Sequence, residues 1–293
     1  MHWLTLLLVT PLTGSLLVAV LPGHRGKLIR RTAILAASLA LVIAAALWLL
    51  FDPTSAHMQL QESVVWNPRL GTAYALGIDG ISYPMVVLAA LLSLIALMAS
   101  AAITDRPKGY YLLVLLLESA MLGVFMARDW ALFYVFWELT LIPLFFLIDR
   151  WGGKNRQGAA LNFVLYTMGG SVFMLISLLL LFDAAPSHSF SMSAIAEAAR
   201  SLPEQTQIWI FLGLLIGFGV KMPIFPIHGW LPLAHVEAPS PISILLSGIL
   251  LKMGAYGLIR AAETLPAAVM ALQILLMVLA LISLIYGGLL AWR

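Results

Sequence analysis

Four charged side chains lie well inside long apolar stretches of this 293-residue sequence, away from their ends: Glu118, Glu138, Lys221 and Lys252. A charge near the centre of a bilayer costs about 2.5–3.5 kcal/mol even on the lenient insertion scale, so each needs a partner, a water-filled cavity or a function. Burial raises a carboxylate's pKa and lowers an ammonium's, and an opposite charge nearby reverses both tendencies. A pair that meets and separates therefore changes its proton affinity with geometry, which is the physics of a proton pump. Lysine, with one labile proton on a flexible stem, suits that task better than arginine, which stays protonated. Static ion pairs that fix helix packing, or side chains that snorkel to an interface, are the alternative reading of the same residues.

Lys221 opens a second unusual feature, the run Lys221-Met-Pro-Ile-Phe-Pro-Ile-His-Gly-Trp-Leu-Pro232. Each proline removes a backbone donor, so the helix that carries Lys221 is expected to break just after it. Broken helices at membrane depth line cavities or bury against protein, and in transporters they mark ion sites. His228 and His235 follow the lysine at steps of seven, each about 10 Å along a continuous helix. Histidine titrates near neutrality and so suits proton passage from the lysine towards the basic end of the chain. A loop histidine bonded to backbone is the plainer alternative. Lys252 is flanked by small residues that permit close helix approach, and Tyr256, four residues on, shares its face. Tyr166 and Thr167 are polar, but isolated polar residues in a helix usually bond the adjacent turn.

These residues must be positioned by membrane spans. Apolar residues make up 62% of the chain and charged residues 10%, which excludes an ordinary water-soluble fold. Apolar stretches at 3–21, 33–51, 83–103, 110–127, 130–149, 161–182, 208–226, 243–263 and 267–292 are each long enough to cross a bilayer as a helix. The expectation is an all-α polytopic bundle of about nine spans with a broken seventh helix, forming a single transmembrane domain over 1–293. Arg25, Lys27, Arg30, Arg31, Arg106, Lys108, Arg150, Lys154, Arg156 and Arg293 fall at one end; Arg69, Arg128, Arg200 and Arg260 fall at the other. The positive-inside bias makes the first end cytoplasmic and puts the N-terminus outside. The long outer connections 52–82 and 183–207 are expected to hold short amphipathic or irregular structure.

With no cysteine, the chain holds neither a thiolate-ligated iron–sulfur cluster nor a disulfide. Its histidines lack a metal-ligand spacing, and its glycine pairs lack the strand-to-helix setting of a nucleotide loop. The basic residues follow topology, so no nucleic-acid partner is expected; the bilayer itself is one.

The runs Phe136-Trp-Glu-Leu-Thr-Leu-Ile-Pro143, Lys221 to Ser243 and Leu251-Lys-Met-Gly-Ala-Tyr-Gly257, with Leu76-Gly-Ile-Asp-Gly-Ile-Ser82, resemble the antiporter-like membrane subunits of respiratory complex I. The resemblance implies that Glu138 and Lys221 form a switching pair, that His228 lies in a hydrated path and that Lys252 is a central relay. It implies a carboxylate role for Glu118 as well. It also implies proton translocation in a bacterial plasma membrane beside other membrane subunits, with NADH, FMN, iron–sulfur clusters and quinone all held by partners. Subunits of cation/proton antiporters and membrane-bound hydrogenases share the same glutamate–lysine core. The family is built on two inverted five-helix repeats. Spans four to eight supply the first, and nearly all of the second is missing. The chain is then a fragment, a truncated product, a half completed by a partner, or an assembly remnant that conducts no protons.

Overall fold

The computed structural model describes residues 2–185 and 188–292, so Arg293 and part of the 183–207 connection lie outside the described residues. Helices α1 (Trp3–Val20), α2 (Gly26–Ala46), α3 (Ser82–Ala99) and α4 (Pro107–Met126) open the chain, with β1 (Gln59–Asn67) and β2 (Thr72–Ile78) between α2 and α3. They are followed by α5 (Trp130–Leu139), α6 (Leu141–Trp151), α7 (Arg156–Ala184), α8 (Met192–Ala199), α9 (Glu204–Lys221) and α10 (Trp230–Glu237). The chain closes with α11 (Ser240–Leu245), a π-helical turn at Leu246–Leu250, α12 (Leu251–Thr264) and α13 (Pro266–Trp292).

Among the described residues, eight helical segments are long and apolar enough to cross a membrane, with α5 and α6 together making one and α11 to α12 another. The chain is thus an integral membrane protein. The second span starts at Gly26, earlier than the apolar stretch at 33–51, because the basic first turn is helical too. Helix α9 has 18 residues. Its first turn is Glu204-Gln-Thr-Gln207, which dilutes its hydropathy, and it stops at Lys221 as the prolines require.

The connection at 52–82 departs from an all-α plan. Strands β1 and β2 pair antiparallel, with Glu62 opposite Leu76 and Val64 opposite Tyr74. Glu62 explains why the hairpin stays on the bundle: its carboxylate accepts from the Leu4 N–H at 2.7 Å, the Thr5 N–H at 3.0 Å and the Thr5 hydroxyl at 2.5 Å. It thereby satisfies first-turn donors of α1 that have no partner within the helix.

Burial is graded across the bundle. In α4, 78% of the spanning window is buried, against 6% in α13. Helix α4 packs on α1, α3, α5 and α6, and α9 packs between α7 and α12.

Candidate functional site

The fifth span is interrupted at Thr140, the residue between α5 and α6. Pro143 has no N–H to give the Leu139 carbonyl and its ring crowds that carbonyl, which disfavours a straight helix there. Asp129 fixes the other end of α5, its carboxylate accepting from the N–H groups of Ala131 at 2.9 Å and Leu132 at 3.1 Å. Its second oxygen accepts from Ala73 N at 3.1 Å, which ties this cap to β2.

Lys221, 2% exposed, ends α9 against that interruption. Its ammonium donates to Thr140 Oγ1 at 2.7 Å and to the Trp137 carbonyl at 3.4 Å, and lies 4.1 Å from the centre of the Trp137 ring. Phe133, Trp137 and Phe218 pack edge and face around this point. The carbonyls freed at the end of α9 find other donors: Trp230 Nε1 donates to Val220 O at 2.8 Å, and Ile224 N donates to Gly219 O at 3.0 Å in place of Pro223, which has no N–H. A break in each of two spans therefore meets at one buried ammonium.

Glu138 does not touch it. No Glu138–Lys221 contact falls within the 4.0 Å of an ion pair. Successive helix residues project about 100° apart, so Glu138 faces sideways while Trp137 faces the lysine. The carboxylate lines an apolar cavity of about 730 Å³ among Tyr134, Ile142, Phe145, Leu161 and Met168, and its Oε1 is buried without a hydrogen-bond partner. Glu118, on the most buried span, is 0% exposed, and both its oxygens lack a partner.

The remaining expected residues are placed differently from their spacing. Lys221, His228 and His235 do not share one helix face, because residues 222–229 form turns and His235 belongs to α10. His228 packs between Phe225 and Tyr286, tilted against the first ring and edge-on to the second, and its Nδ1 is buried and unpartnered. His235 is half-buried. Lys252, expected within the bundle, is exposed, and its ammonium donates to the Ser247 carbonyl at 3.1 Å beside the π turn. Lys252 and Tyr256 thus part company: Tyr256 is buried and donates to Phe125 O on α4 at 3.0 Å. Close approach of α12 to α9 does hold at Gly254, where a Cβ would come within 2.7 Å of Phe218 O. Thr167 bonds the preceding turn through Phe163 O at 2.6 Å. Among the described residues, no group of three His, Asp or Glu side chains is placed to hold a metal ion.

Residues 127–293, which carry α5 with its interruption, Lys221 and Lys252, match the family model described as NADH:quinone oxidoreductase/Mrp antiporter, transmembrane. The chain belongs to that family.

Family membership extends to the N-terminal half through individual relatives. NAD(P)H-quinone oxidoreductase chain 4 3 of Picosynechococcus sp. is 42% identical over 289 residues, which are 98% of this chain and 52% of the relative. Respiratory complex I from Thermus thermophilus contains a chain that superposes with a TM-score of 0.85 at 32% identity, over 97% of this chain and 58% of that one. The Mrp complex from Dietzia sp. shares the fold at a TM-score of 0.77, with 24% identity over 92% of this chain and 29% of that one. This antiporter-family chain spans about half the length of the curated relatives it matches.

One buried charge is not legible from hydropathy alone. Arg260 was grouped with the outer loop charges, yet it lies within α12 and is 4% exposed. Its guanidinium donates to Asp79 at 2.6 Å and to Glu263 at 2.9 Å, and it lies 4.9 Å from the Tyr256 ring. Two signals pointed to it: Asp79 sits in the run Leu76 to Ser82, and Arg260 follows Tyr256 by four residues, on one helix face.

Proposed function

We propose that this chain is a proton-relaying membrane module of an NADH:quinone oxidoreductase of the complex I type. The observation that carries the reading is the Lys221 ammonium held by neutral acceptors, with Glu138 two residues before Thr140 on the same kinked span and in no ion pair. Thr140 and Glu138 are alternative stations for one flexible four-carbon stem. Movement between them makes and breaks a charge pair in a low-dielectric setting, where such contacts change proton affinity most. Glu118, buried and unpartnered, is the next carboxylate on the neighbouring α4. His228 and His235 lie on the other side of the break and connect Lys221 to the basic end, which is cytoplasmic by the positive-inside bias. Lys252 passes the proton onward at the open face of α12. NADH, FMN, iron–sulfur clusters and quinone reside in partner subunits of a bacterial plasma-membrane assembly.

The test is proton pumping coupled to quinone reduction in membranes that contain the assembled complex. Glu138→Gln and Lys221→Ala abolish pumping while assembly persists; wild-type pumping in either variant overturns the relay. The family description also covers cation antiporters. A sodium-gradient-driven proton flux that survives removal of quinone selects that second reading.

A further inference from the structure

The loop between α1 and α2 and the loop between α3 and α4 enclose a cavity of about 930 Å³ at the basic end of the bundle. Arg25, Lys27, Arg30 and Arg31 all line it, joined by His24, and no carboxylate among the described residues does. At the same end of the bundle Arg150 pairs with Asp149 at 3.2 Å. Here the charge stays uncompensated. Arg30 donates one Nη to Met98 O at 3.0 Å, while its Nε is buried with no partner. Two spanning helices, α2 and α4, begin at this cavity, and neither has a side-chain cap. Their first-turn N–H groups and positive dipole ends add to the field.

Leu28, Ala101 and Ile103 add apolar lining to the same cavity. From Leu28 an apolar stripe continues along the outer face of α2 through Leu35, Leu39 and Val42, which are 69%, 54% and 62% exposed. A positive pocket that opens onto an acyl-chain track has the shape of an amphiphile with an anionic head.

We infer that this cavity is a binding site for the phosphate headgroup of an anionic membrane lipid, whose chains lie along α2. Basic pockets between spanning helices at the positive end take such headgroups, each Lys or Arg strengthening the interaction roughly fivefold. A free phosphate shares the headgroup chemistry but makes no use of the stripe.

Titration of phosphatidylglycerol into the detergent-solubilised chain, purified with the subunits that accompany it and followed by native mass spectrometry, tests the site. Phosphatidylcholine and inorganic phosphate serve as comparison probes. Lys27 and Arg31 are exposed, and exposed substitutions cost little stability, so Lys27→Gln/Arg31→Gln removes charge with little effect on folding. The expected result is preferential phosphatidylglycerol binding, weakened roughly 25-fold in that variant. Lys154→Gln/Arg156→Gln, which removes equal charge from another loop at the same end, leaves binding intact. Equal weakening in both variants, no preference over phosphatidylcholine, or displacement by millimolar inorganic phosphate overturns the assignment.

Discussion

Lys221 Nζ lies 2.7 Å from Thr140 Oγ1, at the point where the fifth span is interrupted and α9 ends. The hydroxyl is the shorter of the two hydrogen bonds of a buried ammonium and, among the described residues, the one side-chain oxygen that holds it. A hydrogen bond to a charged group contributes about 1.5–3 kcal/mol, or roughly tenfold to a hundredfold in an equilibrium constant.

Thr140→Val keeps the volume and removes that oxygen. Proton pumping by the assembled complex is expected to change by roughly tenfold or more, since the dwell of Lys221 at this station shifts by the lost contact. Thr140→Ser restores it. Pumping that does not respond to valine removes Thr140 from the relay.

Lys252 sits on the exposed face of α12 in this chain, yet a charge in contact with lipid is expensive. Another protein element is expected to cover that face in the membrane. Lys252→Cys should react with a water-soluble maleimide in the solubilised chain and be protected in the native membrane assembly. Equal labelling in both leaves the face open.

Gly254 lets α12 approach α9, with room for no Cβ beside Phe218 O and Met222 N, both 2.7 Å from where one would sit. Gly254→Val forces the helices apart and is expected to cost about 1–3 kcal/mol, as overpacking does. Thermal unfolding in detergent measures it. Gly158→Ala, where a Cβ meets nothing within 4 Å, is the matched control and leaves stability near wild type.

The Asp79–Arg260 pair clamps the start of α3 to α12 at 2.6 Å. Burial pushes the Asp79 carboxyl up, but the Ser82 N–H and the Arg260 guanidinium outweigh it and hold it below its ordinary 3.8. A carboxyl depressed in the folded state adds stability that is full above its unfolded pKa and disappears as pH falls through its folded one. Stability should therefore hold down to about pH 4 and decline below it, and Asp79→Asn should flatten that acid decline. Arg260→Gln, which strands a buried carboxylate, is expected to cost about 3–5 kcal/mol at neutral pH. Identical acid profiles for wild type and Asp79→Asn separate the clamp from stability.

Much of the architecture was legible because lipid leaves the backbone few choices. An apolar run such as Pro107–Met126 must be helical wherever water is absent, and Pro223 and Pro226 had to end α9 near Lys221. The hairpin at Gln59–Ile78 was not legible as strands, since its residues face polar surroundings in which several local structures compete. Its deciding contact, Glu62 on the first turn of α1, joins residues 58 positions apart.

The sequence by itself determined which side chains are costly enough to need a role, because burial of Glu118, Glu138 and Lys221 follows from the hydropathy around them. Only the tertiary structure decided which of them meet. It turned Glu138 sideways from Lys221, gave the ammonium to Thr140, left Lys252 on an open face and drew Arg260 inward to Asp79. The physical reason is reach: hydropathy depends on neighbours along the chain, whereas a partner for a buried charge depends on how two helices end, kink and rotate against each other.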